Sequence, residues 1–143
     1  MPGAFPAQER VRKRSEYLRI QTNARRVFTP HFVLLLALRP NPAPAGSSGT
    51  SPACARLGIT VSRRVGNAVT RNRAKRLIRE AFRQTRDLWQ PGLDVVVIVR
   101  QALAGMKCPD VVEEWRRAAR SIELRSREAR HALALAAKGS AEP

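Results

Sequence analysis

The sequence predicts an α+β sandwich, ordered α-β-β-β-α-β-α, with its helices packed on a mostly antiparallel four-stranded sheet. Three observations carry that expectation. Between Leu57 and Phe82 the hydrophobic period changes from two to three or four, so a strand feeds directly into a helix. Two short runs, His31–Leu38 and Asp94–Val99, are apolar on both faces and read as strands covered on each side. A stripe of Val111, Val112, Trp115, Ala118, Ala119 and Ile122 then marks a closing helix.

In chain order, residues 1–9 are rich in Pro, Ala and Gly and are expected to be disordered, and residues 10–126 form one domain. After a charged stretch holding Arg10, Arg12, Lys13 and Arg14, Ser15 caps a short helix. That helix carries Tyr17, Leu18 and Ile20 and ends near Ala24. Arg25–Phe28 forms a short extended piece before Thr29-Pro30. Residues 40–53, built of Pro, Gly, Ser and Ala, read as a flexible loop. Leu57, Ile59 and Val61 alternate with Gly58, Thr60 and Ser62, the pattern of a half-buried strand. Gly66-Asn67 is a turn signal that places Asn67 as a helix N-cap. The helix beyond it carries Ala74, Leu77, Ile78, Ala81, Phe82, Thr85 and Trp89. Pro91-Gly92 turns the chain into the strand from Asp94, and Met106–Pro109 breaks it before a helix from about Asp110. Residues 127–143 are expected to be a weakly helical or disordered tail.

Charge gives the first functional pointer. The chain has 27 Lys and Arg against 11 Asp and Glu, a net charge of +16, which draws it to polyanions. On a helical wheel at about 100° per residue, Asn72, Lys75, Arg76, Arg79, Arg83 and Arg86 share one arc beside the apolar stripe. Arg71 falls over Ile78 in the first turn, Arg73 lies across the helix, and Glu80 is the one acidic residue from Leu57 to Phe82. A merely solvated face mixes Glu with Lys and gains i,i+4 pairs. Here the charges repel one another, so the face is read as a nucleic-acid surface.

Other chemistry is sparse. Cys54 and Cys108 lack metal-site spacing; one disulfide is formally open, and two thiols in a reducing compartment is the simpler reading. The N-terminus lacks the apolar run of a signal peptide, and Phe32–Leu38 is too short to span a bilayer, so a cytoplasmic protein is expected. Asp87, Asp94 and Asp110 do not cluster, and Glu113-Glu114 beside Arg116-Arg117 reads as a balanced surface. His31 and His131 have no evident partners, and His31 is read as structural. A protein nuclease needs clustered carboxylates or a paired acid and base. The expectation is therefore no active site, metal or cofactor in the protein itself.

The segment Arg71-Asn72-Arg73-Ala74-Lys75-Arg76-Leu77-Ile78-Arg79, preceded by Arg63-Arg64-Val65-Gly66-Asn67-Ala68-Val69, resembles the signature of the bacterial ribonuclease P protein subunit. The resemblance spans about Arg10 to Ile122. It implies a left-handed βαβ crossover around the basic helix, against the general right-handed rule. It also implies a function: with a catalytic RNA that positions magnesium ions, the protein helps remove the 5′ leader of precursor tRNA. Arg63, Arg64, Asn67, Arg71, Asn72, Arg73, Lys75, Arg76 and Arg79 would face the RNA subunit. A cleft between first helix and sheet would hold the single-stranded leader, with Arg10, Arg12, Tyr17, Gln21 and Phe28 as its contacts. Gln21 stands where the family has an aromatic residue, so stacking would lean on Tyr17, Phe28 or Phe32, although Phe32 is better read as core. Neither a membrane nor an obligate protein partner is implied. The competing expectation, from charge alone, is a structural RNA-binding protein such as a ribosomal one.

Overall fold

The structure, a computed structural model, describes residues 10–11, 14–38 and 55–141. The expected sandwich is present. Helix α1 (Arg14–Asn23) precedes strands β1 (Arg25–Phe28), β2 (Phe32–Leu38) and β3 (Arg56–Thr60). Helix α2 (Ala68–Gln84) leads to β4 (Leu93–Val99), and α3 (Cys108–Arg117) and α4 (Ala119–Ala141) close the chain. The sheet order is β1-β2-β4-β3, with β1/β2 and β2/β4 antiparallel and β3/β4 parallel. Helix α2 is thus the crossover between parallel neighbours; its hand rests on the resemblance alone.

Why β2 and β4 are apolar throughout follows from their central place. Leu34, Leu36, Val95 and Val97 enter the larger core with Ile78, Phe82, Trp115 and Ile122 from α2, α3 and α4. Leu35, Ala37 and Val96 enter a smaller core with Val11 and with Ile20 of α1. One sheet face therefore belongs to α1 and the other to the remaining helices. Trp115 links the larger core, edge-on to Phe32 at 5.8 Å and to Trp89 at 5.6 Å, while Trp89 stacks on Phe82 at 5.3 Å. Phe32 is fully buried there, so it is core and not cleft.

Several local expectations shift. Ser15 lies inside the first turn of α1, which begins at Arg14. Gly58 of β3 lies beneath the Tyr17 ring: a Cβ there would sit 2.8 Å from the hydroxyl, so a larger residue would have to push the ring aside. Helix α2 ends at Gln84, and Trp89 reaches the core from beyond a 3₁₀ turn at Arg86–Leu88. The closing helix starts earlier than expected, at Cys108, and divides at Ala118, whose N–H bonds to Trp115 O at 3.0 Å. Its second half is helical to Ala141. Good helix formers, an Arg127–Glu123 pair at 2.7 Å and burial of Ser126 and Ala129 account for this. The 1–9 and 40–53 segments, Arg12 and Cys54 lie outside the described residues.

Asp94 is the charge that an apolar strand could not carry alone. It is fully buried, and Arg56 grips it with Nε at 2.8 Å and Nη2 at 2.9 Å. Arg19 of α1 adds a third bond at 2.7 Å, tying α1 to both β3 and β4. His31 likewise has a partner that sequence spacing hid. Its Nδ1 lies 2.7 Å from Glu114 Oε1 and its N–H donates to Oε2 at 3.0 Å, which fixes the β1–β2 turn to α3.

Candidate nucleic-acid interface

Helix α2 begins as the sequence predicts: the Asn67 side chain accepts the Thr70 N–H at 2.9 Å, satisfying one of the open amides of the first turn. Ala74, Ile78, Ala81 and Phe82 are buried, which fixes the helix about its axis and turns its cations outward. The structure then sorts those cations into three environments.

Lys75 and Arg79 are half-buried in a cleft of about 240 Å³ shared with Arg10, Val11, Tyr17, Leu57 and Ile59. The N-terminal arm reaches this cleft by adding to the free edge of β3, where Arg10 pairs in parallel with Leu57 and Val11 N–H donates to Leu57 O at 2.9 Å. Burial, and then the nearby charge of Arg10, lowers the Arg79 guanidinium from its ordinary value, though arginine stays charged at neutral pH. Cations gathered against one another beside an aromatic ring form a site for an anionic, base-bearing chain. Arg63, Arg64, Asn72 and Arg76 are exposed outside the cleft. Arg71 is half-buried, and its Nε is enclosed with no hydrogen-bond partner among the described residues. Arg73 differs from both groups, since its guanidinium is bonded to carbonyls of Leu103 and Met106.

The residues expected to meet a single strand do not all converge. Arg10 and Tyr17 meet in the cleft, joined by Lys75 and Arg79, which the wheel had assigned only to the helix ridge. Gln21 is exposed one turn beyond Tyr17 on α1. Phe28 is on β1, at the opposite edge of the sheet from β3 and so three strand spacings away, roughly 14 Å. Val27 enters the larger core, whereas Phe28 is 65% exposed and borders a separate cleft of about 530 Å³ with His31, Met106 and Glu114. Arg100, a residue that sequence reasoning missed, places its guanidinium carbon 5.9 Å from the centre of the Phe28 ring. An arginine just after the β4 strand was the available signal.

The acidic groups are largely engaged elsewhere. Asp94 is held by two arginines, Asp87 by Arg116 at 2.8 Å, Glu113 by Arg117 at 2.6 Å and Glu114 by His31. The hydrogen bond from Arg116 lowers the Asp87 carboxyl from its ordinary value, and that from Arg83 lowers Glu80. Among the described residues, no three His, Cys, Asp or Glu side chains gather as a metal site. No described helix is long and apolar enough to cross a membrane.

Comparison with known proteins agrees with this arrangement. The family model for Ribonuclease P matches residues 5–123. The ribonuclease P protein component of Syntrophus aciditrophicus is 41% identical over 106 residues, covering 74% of this chain and 80% of its own. That of Desulforapulum autotrophicum is 36% identical, covering 78% and 86%. Among solved structures, the RNase P protein of Thermotoga maritima superimposes with a TM-score of 0.61 at 30% identity, over 83% of this chain and 96% of that one. The Staphylococcus aureus RNase P protein gives 0.65 at 26% identity, over 82% and 97%. With an α+β sheet of the expected topology and a cationic crossover helix, the chain belongs to the ribonuclease P protein component family.

Proposed function

We propose that this chain is the protein subunit of a ribonuclease P that removes the 5′ leader of precursor tRNA in the cytoplasm, and that the cut itself is made by an RNA subunit. The observation that carries the reading is the meeting of Arg10 and Tyr17 with Lys75 and Arg79 in one cleft, continuous with exposed cations on α2. Arg63, Arg64, Asn67, Arg71, Asn72, Lys75, Arg76 and Arg79 suit phosphates and 2′-hydroxyls of a folded RNA, recognised by shape more than by sequence. The positive end of α2, beginning at Asn67-Ala68, adds affinity for phosphate. The cleft holds the leader, with a base against Tyr17, the backbone along Arg10, Lys75 and Arg79, and Gln21 offering a hydrogen bond where stacking is absent. Phe28 lies far enough across the sheet to meet a different nucleotide. Arg12, which the resemblance counts among the leader contacts, lies outside the described residues.

In this reading the protein holds no catalytic group. Magnesium ions would be held by the RNA subunit and would supply there the Lewis-acid chemistry that phosphodiester hydrolysis needs. The protein contributes positive charge and a fixed path for the leader, which lowers the magnesium needed for a compact complex. Family membership favours this over a structural role in the ribosome. Reconstitution with a bacterial ribonuclease P RNA tests it. Leader cleavage at low magnesium should rise on adding the protein, and Tyr17→Ala should weaken precursor tRNA by about 1–3 kcal/mol more than mature tRNA. No stimulation, or cleavage by the protein without any RNA subunit, would refute it.

A further inference from the structure

Arg73 sits within the most basic run of the chain, yet its side chain is turned onto the segment joining β4 to α3. Its Nη2 donates to Met106 O at 2.7 Å and its Nη1 to Leu103 O at 3.4 Å, acceptors 33 and 30 residues away. At that end Lys107 N–H also donates to Asp110 Oδ2 at 2.8 Å, which ties the segment to the start of α3, so Arg73 is the tie to α2. Leu103 is buried, Met106 N–H closes a turn onto Leu103 O at 3.1 Å, and Gly105 takes a left-handed φ of 77°.

At its other end the same segment is fastened to the β1–β2 turn. Arg100 N–H donates to His31 O at 2.8 Å, Arg100 Nη1 to Thr29 O at 3.1 Å and Gln101 Nε2 to Pro30 O at 2.7 Å. The Arg100 guanidinium then lies over the exposed Phe28 ring. A short bridge of backbone thus runs from the cationic helix to the aromatic side chain at the far sheet edge, with an arginine at each end.

We propose that Arg73 is a positioning residue: it fixes the segment 100–107 so that Arg100 stays over Phe28, coupling the RNA-binding helix to the aromatic edge of the sheet. A guanidinium whose two Nη groups are engaged by carbonyls is not free to make a bidentate phosphate contact through them. Arg71, with an enclosed and unpartnered Nε, has no such commitment. The inference rests on the proposed function for the identity of what Phe28 contacts, a leader nucleotide, but the bridge itself is a property of the free protein.

The test uses the full chain, a bacterial ribonuclease P RNA, and precursor and mature tRNA, with Arg73→Ala, Arg73→Lys and Arg71→Ala compared. In Arg73→Ala, amides of residues 101–106 should exchange faster in the free protein, as the anchor is lost. Preference for precursor over mature tRNA should fall about two- to fivefold, the size of one exposed cation–π contact. The salt dependence of RNA-subunit binding should stay at the wild-type slope, and Arg73→Lys should restore part of the preference. Arg71→Ala should instead lower that slope by about 0.9 and leave the amides alone. An Arg73→Ala slope reduced by about 0.9, or unchanged amide exchange, or an unchanged precursor preference, each overturns the proposal. If the unaltered protein shows no preference for precursor tRNA, the proposed function fails, and the exchange measurement alone decides the bridge.

Discussion

Helix α2 and the α3–α4 pair are both rich in arginine, and they use it in opposite ways. On α3 and α4 four arginines have carboxylate partners: Arg116 with Asp87, Arg117 with Glu113, Arg125 with Glu128 and Arg127 with Glu123. On α2 the one carboxylate, Glu80, is taken by Arg83 and Gln84, and Lys75, Arg76 and Arg79 share no acid among the described contacts. The arginine content is similar; the supply of carboxylates, one on α2 against five on α3 and α4, is not. A helix that keeps its positive charge uncompensated loses the small gain of surface ion pairs and accepts self-repulsion. It keeps instead a row of charges whose hydration and counterions can be exchanged for phosphates.

That contrast can be broken most forcefully at its buried extreme. Asp94→Ala would leave Arg19 and Arg56 beside an apolar sheet without their carboxylate, and stability should fall by about 3–5 kcal/mol. Denaturant titration checks it; a loss near that of a surface pair would mean the cluster is solvated after all. The middle case compares the two helices directly. Arg71→Ala and Arg76→Ala should each weaken RNA-subunit binding about fivefold at physiological salt and reduce the salt slope, with little effect on unfolding. Arg117→Ala and Arg127→Ala should leave both slope and affinity unchanged, and equal effects from both helices would erase the distinction.

The smallest effect concerns pH. Asp87 has its folded-state pKa held below the ordinary 3.8 by Arg116, so its stabilisation is complete above that value. It is lost as pH falls through the lowered folded value. The acid limb of a melting profile should therefore be slightly shallower in Asp87→Asn than in the wild type, because the substituted side chain does not titrate. Identical limbs would show that the pair contributes nothing measurable.

Much of the fold was legible because it is local. The change of period at Gly66-Asn67, the Asn67 cap, the doubly apolar central strands and the burial of Phe32 all follow from neighbours within a turn or two. What escaped was set by distance in the chain. Asp94 meets Arg19 across 75 residues and Arg56 across 38, and Glu114 meets His31 across 83; no spacing rule announces such pairs. An aspartate inside an otherwise apolar strand did announce that some partner was required. The division at Ala118 has neither Gly nor Pro to mark it, so a continuous stripe suggested one helix. The candidate site was legible as a set of residue types but not as an allocation. The wheel set Lys75, Arg76 and Arg79 in one arc and Arg73 across the helix, but it did not show that packing sends Lys75 and Arg79 into the Tyr17 cleft or Arg73 onto a neighbouring loop.

The arm that pairs with β3 has a further consequence, for self-association. A sheet with two open edges offers unpaired amides and carbonyls to any second copy, the geometry from which fibres grow. Here Arg10 and Val11 occupy part of one edge, and the other, β1, presents the exposed Arg25 and Arg26. Joining edge to edge would bring like charges together or require the arm to be displaced. The cationic surface that recruits a polyanion therefore also keeps concentrated copies of this protein from templating one another.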